Sequence, residues 1–94
     1  MRPGYVLICA TTGSAADILE SLITIPFVHE AYNVKGSCDV HATLYVETEE
    51  QFNMASRQIA KIRGIRHMEK HIAESGFCMN DGRPVYLETA RHRE

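Results

Sequence analysis

Residues 27–46 read Phe27-Val28-His29-Glu30-Ala31-Tyr32-Asn33-Val34-Lys35-Gly36-Ser37-Cys38-Asp39-Val40-His41-Ala42-Thr43-Leu44-Tyr45-Val46, and this stretch decides the fold. Two runs rich in β-branched and aromatic residues flank the turn signal Gly36-Ser37. In the first, Phe27 to Lys35, the period-2 rule puts Val28, Tyr32 and Val34 on one face and His29, Ala31 and Asn33 on the other. In the second, Cys38 to Val46, Val40, Ala42, Leu44 and Val46 face one way, and Asp39, His41, Thr43 and Tyr45 the other. Strands joined by so few residues pair as an antiparallel hairpin.

Working outward, Tyr5 to Ala10 is a short buried strand that Thr11-Thr12-Gly13 breaks. Ser14 is a helix N-cap with Asp17 at the capping-box position. Ala15, Ile18, Leu19, Leu22 and Ile23 form the apolar stripe of that helix, which ends before Pro26. Downstream, Thr48 caps a second helix with Gln51 completing its box, and Phe52, Ala55, Ile59 and Ile62 form its stripe. Glu47, Glu49 and Glu50 suit the positive end of the helix dipole, and Phe52 and Met54 read as ordinary helix core. Gly64 stops the helix, and Ile65 to Ala73 is a fourth strand.

The order is β-α-β-β-α-β, with a weak internal repeat in which Ile25-Pro26-Phe27-Val28 matches Ile62-Arg63-Gly64-Ile65. Two right-handed βαβ halves give an α+β, ferredoxin-like fold: a four-stranded antiparallel sheet with both helices on one face. Residues 1–75 form this domain, and residues 76–94 are a tail with turn signals at Ser75-Gly76 and Asn80-Asp81-Gly82. Pro84 to Leu87 is expected to add a short edge strand, and Arg91 to Glu94 to fray.

Composition narrows the function. The chain has 94 residues, 45% of them hydrophobic and 23% charged, with a net charge of −2, which fits one globular domain without the basic face of a nucleic-acid binder. No run reaches the roughly 20 apolar residues of a membrane helix, and no signal-peptide core is present, so a cytoplasmic location is expected. Cys9, Cys38 and Cys78 are odd in number with no C-x-x-C, and read as free thiols in a reducing compartment. No cofactor is assigned. The uncovered sheet face is expected to carry Tyr5, Leu7, Cys9, His29, Ala31, Thr43 and Tyr45, joined by His41, His67 and His71. Such a face marks an interface or a ligand cavity, and the expected partner is a second copy related by a two-fold axis in a dimeric α/β-barrel assembly, which would supplement the small core of so short a chain.

Four stretches together resemble the ligand-binding RAM domain of the Lrp/AsnC family of amino-acid-responsive regulators. They are Gly4-Tyr5-Val6-Leu7-Ile8, Ile25 to Tyr32, Val34 to Val40, and Ile59 to Ile65. The likeness runs from about Gly4 to about Ser75, with departures: Phe27 stands where the family has glycine, Cys38 where it has an aromatic, and Arg63 where proline is common. The family's helix-turn-helix has no counterpart in these residues, so DNA binding is not carried over.

The resemblance implies a non-enzymatic module that senses a small effector, an amino acid, at a subunit interface by the hairpin. It also implies a homodimer, higher assemblies, and a full-length paralogue as partner. Gly36, Ser37, Cys38 and Asp39 are the expected ligand-binding residues. Gly36 lets backbone N–H groups approach a carboxylate, Ser37 offers a hydroxyl, and Asp39 accepts from an α-ammonium group. The plain alternative is a glycine turn with Asp39 bonding local backbone. Histidines on the open face admit two further readings, a metal sensor or a small dimeric α/β-barrel enzyme resembling monooxygenases. His67 and His71 stand about 13 Å apart along one strand, too far for one metal.

Overall fold

The computed structural model of the chain describes residues 2–87; the segment 91–94, expected to fray, lies outside the described residues. The elements are β1 (Arg2–Ala10), α1 (Ala15–Leu22), β2 (Val28–Asn33), β3 (Val40–Val46), α2 (Glu49–Ala60), β4 (Ile65–Ile72), β5 (Phe77–Asn80) and β6 (Arg83–Tyr86). The first six form the expected ferredoxin-like arrangement, an antiparallel sheet in the order β2-β3-β1-β4 with two helices.

Strand alternation builds the core. Val6 and Ile8 of β1 and Val40, Ala42, Leu44 and Val46 of β3 are buried against Ile18 and Leu22 of α1 and Phe52, Ala55 and Ile59 of α2. Each large aliphatic among them contributes roughly 1.5–3 kcal/mol by leaving water. Gly4 lies under α2, where a Cβ would enter the Phe52 ring. Met54, expected in the core, is instead 40% exposed, because it falls off the stripe set by Phe52, Ala55 and Ile59.

The second helix is capped as expected: Thr48 Oγ1 accepts from the Gln51 N–H at 3.1 Å, and Gln51 Oε1 accepts from the Glu47 N–H at 2.7 Å. The Ser14–Asp17 box does not form. Ser14 has helical dihedrals and no side-chain cap, and its hydroxyl pairs with that of Thr11 at 2.7 Å instead.

The internal repeat is visible in the backbone. Phe27 and Gly64 hold the same place before β2 and β4, and both are left-handed, at φ 74° and 92°. A glycine takes this conformation freely, whereas Phe27 takes it against its steric preference while its ring packs on the core.

Three expectations change. First, β2 carries a bulge between Val28 and Glu30, which resets its alternation. Ala31 therefore pairs with Ala42 and packs against the helix-side core, not on the open face, and Tyr32 pairs with His41 and is 58% exposed. Second, the hairpin turn is a loop of residues 34–39. The Val34 N–H donates to the Asp39 carbonyl at 2.6 Å and the Asp39 N–H donates to the Ile8 carbonyl at 2.8 Å, so the loop's end is bonded both to its own start and to β1. Third, Pro84 to Tyr86 does not extend the main sheet. Residues 83–86 pair with 77–80 as a separate hairpin. Its turn residues Asp81 and Gly82 both have positive φ, 54° and 76°, the pattern of a two-residue type I′ turn.

Candidate functional site

The end of β1, the 34–39 loop and the start of α1 meet at one end of the sheet. The pairing of Ile8 with Val40 fixes this: continuing the register sets Cys9 and Ala10 against the loop's last residues. Asp39 Oδ2 accepts from the Ala10 N–H at 2.8 Å, a charge-assisted bond that closes the loop onto the strand. Beside it, Cys9 and Cys38 are joined by a disulfide with Cα atoms 4.2 Å apart. The expectation of three free thiols is thereby corrected; only Cys78, exposed on β5, is free among the described residues. The physical reason is the β1–β3 register, which brings together two cysteines 29 residues apart.

A surface cavity of about 590 Å³ opens at this end of the sheet. Ala10, Thr11, Thr12 and Gly13 line one side, Ala15 and Ala16 the start of α1, and Asn33, Asp39 and Arg66 supply the longer polar groups. An anionic and a cationic side chain thus share one small cavity with an amide between them in type. That set matches a zwitterion: Asp39 can accept from an ammonium group, Arg66 can hold a carboxylate with its planar fork, and Asn33 can do either. Of the four ligand residues expected from sequence, only Asp39 lines this cavity. Gly36 and Ser37 are exposed on the loop outside it, and Cys38 is engaged with Cys9. Arg66 and Asn33 were missed; their placement follows only from β4 lying beside β1 and from the loop's closure, neither of which has a local sequence signal.

The open sheet face carries Tyr5, Leu7, Thr43 and Tyr45, together with His41, Tyr32 and His71. Cys9 shares the row of His67 but is buried, 6% exposed. His29, freed by the bulge, meets Tyr45 edge to face at 4.9 Å. A shallow cavity of about 510 Å³ runs over Tyr5, Leu7, Tyr32, His41, Thr43 and His71. On β4, Glu69 stands between two histidines, 3.9 Å from His67 Nε2 and 3.5 Å from His71 Nε2, all well exposed. Among the described residues no three His, Cys, Asp or Glu side chains are grouped so as to hold a metal. The Tyr32 hydroxyl donates to Glu30 Oε1 at 2.9 Å, and this bond to a carboxylate, with its charge, pushes the phenol up from its ordinary 10.0. Desolvation foremost, with smaller charge effects from Cys78, Glu30 and Tyr5, raises Tyr45 from the same value.

No family model and no curated protein matches the chain. Solved structures do. TTHA0845 from Thermus thermophilus superposes with a TM-score of 0.78 at 24% identity, over 84% of this chain and 100% of that one. E. coli AsnC gives 0.74 at 17% identity, over 84% of this chain and 54% of that one. The transcriptional regulator NMB0573 from Neisseria meningitidis, solved as an L-Met complex, gives 0.73 at 10% identity, over 88% and 56%. The fold is Lrp/AsnC-like. The described chain thus corresponds to about half the length of the two regulators. No helix of the described residues is long and apolar enough to cross a membrane.

Proposed function

We propose that this chain is a non-enzymatic, amino-acid-sensing and oligomerisation module of the Lrp/AsnC type. The observation that carries the reading is the cavity beside the 34–39 loop that Asp39, Arg66 and Asn33 all line. The carboxylate of Asp39 would take the effector's α-ammonium, and Arg66 its α-carboxylate, with the side chain left to Ala15, Ala16 and the Thr11–Gly13 turn. The L-Met held by the Neisseria regulator supports an amino acid as the ligand class.

The open face supports the assembly half of the reading. Tyr5, Leu7, Thr43 and Tyr45, with His29 at the edge, form a mixed aromatic and aliphatic surface suited to a second copy packed sheet to sheet. An effector with different affinity for two assembly states shifts their populations, and a partner regulator carrying a helix-turn-helix would read that shift. Thermal unfolding in the presence of each of the twenty amino acids tests the sensing half. At least one is expected to raise Tm by several degrees at saturating concentration, as ligand linkage requires. Indifference to all twenty overturns it.

A further inference from the structure

We propose that Cys9 and Cys38 form a reversible thiol–disulfide site whose redox state sets the mobility of the 34–39 loop. Two groups of contacts hold that loop on β1. One is the hydrogen-bonded clasp of Asp39, through its side chain to the Ala10 N–H and through its N–H to the Ile8 carbonyl. The other is the covalent link one residue earlier on each side, Cys38 to Cys9. Gly36, at φ 144° with nothing near the place of a Cβ, has no such tether, and Ser37 has only the weak contact of its carbonyl with Cys9 Sγ, so opening the disulfide leaves Asp39 as the loop's main anchor.

The two sulfurs differ in access. Cys9 is buried, whereas Cys38 is half-buried at the loop's edge. A low-molecular-weight thiolate therefore attacks Cys38 Sγ. The protein S–S bond breaks, a mixed disulfide forms on Cys38, and Cys9 leaves as a thiolate that takes up a proton. A second small thiol then displaces Cys38 as a thiol and departs as the small-molecule disulfide. Two electrons have passed from two small thiols to the protein, and oxidation runs the same steps backward. The reduced state has its partner in place, since Cys9 Sγ lies 3.3 Å from the Ser37 carbonyl oxygen, an acceptor for the new S–H. The pair adjoins the Asp39 cavity, so the loop's state regulates the proposed effector site; that consequence rests on the function proposed above, whereas the switch itself does not.

The experiment uses the full chain carrying Cys78→Ser, equilibrated in buffers spanning ratios of reduced to oxidised glutathione, quenched by alkylation and weighed by mass spectrometry. Amide exchange is then read on both states. The expected result is a reversible two-electron transition, with the loop amides, including those of Val34 and Asp39, exchanging roughly tenfold faster in the reduced protein. A Cys38→Ser variant held in oxidising buffer should exchange like the reduced form. A pair that stays in one state at every ratio, or loop exchange equal in both states, overturns the proposal. Titration of both states with the twenty amino acids separates the two claims: with the switch present and no amino acid bound in either state, the effector reading fails and the switch stands.

Discussion

The carboxylate of Asp39 accepts from the backbone N–H of Ala10 at 2.8 Å, and with the Asp39 N–H on the Ile8 carbonyl and the Cys9–Cys38 disulfide it fastens the loop after β2 to the end of strand β1. The same side chain lines the cavity with Arg66, so its structural task and the ligand-binding task proposed for it can be separated by substitution.

Asp39→Asn keeps an oxygen to accept from Ala10 but loses the charge. It is expected to cost less than about 1 kcal/mol in stability while weakening amino-acid binding by roughly tenfold or more, since bonds to charged groups are about twice as strong as neutral ones. Asp39→Ala leaves the Ala10 N–H without its partner and is expected to lose about 1–3 kcal/mol as well as binding. Denaturant melts and calorimetric titration of the two variants check this.

Reduction of the Cys9–Cys38 bond should destabilise the fold by about 3–4 kcal/mol on the chain-entropy model, given a separation of 29 residues. Urea melts with and without a reductant, on the Cys78→Ser chain, measure it. A difference below about 1 kcal/mol would mean that the unfolded chain gains little freedom on reduction.

Two glycines should not tolerate a side chain. A Cβ on Gly4 would run into the buried Phe52 ring, and one on Gly64 would sit 2.6 Å from Ser14 at a left-handed φ of 92°. Gly4→Val and Gly64→Ala are each expected to cost about 1–3 kcal/mol by thermal or urea melts.

Two of the four tyrosines should ionise late. For Tyr32 and Tyr45 the folded phenol sits above 10.0, so the protonated form is favoured by folding. The associated stability is fully present below pH 10 and is lost as pH rises through the folded value. Spectrophotometric titration of folded and urea-unfolded protein should show a late fraction only when folded, and Tyr32→Phe, which removes the Glu30 pairing, should reduce that fraction.

The order of the first six elements was legible because most of their boundaries have a local chemical cause. Thr48 and Gln51 announce α2, Gly64 ends the segment before β4, and the alternation of Val40 to Val46 declares β3. What escaped depends on tertiary pairing. The bulge that turned Ala31 inward has no residue signature in Val28-His29-Glu30. The disulfide needed the register: once Leu7 faces His41 and Ile8 faces Val40, the next step along β1 brings Cys9 to the end of the loop that holds Cys38. Phe77 to Asn80 was not read as a strand because only its turn, Asp81-Gly82, carries a strong local preference. In the site, Asp39 was legible as a carboxylate beside a glycine turn, and Arg66 was not, since β4 contributes it from the far side of β1.

The most direct test of the central claim is the mass of the oxidised chain by light scattering, with and without an amino acid that raises its Tm. The expected result is a dimer or a multiple of it whose assembly shifts when the amino acid is added, and a monomer when Leu7→Glu is introduced on the open face. A monomer whose mass no amino acid changes would contradict the account.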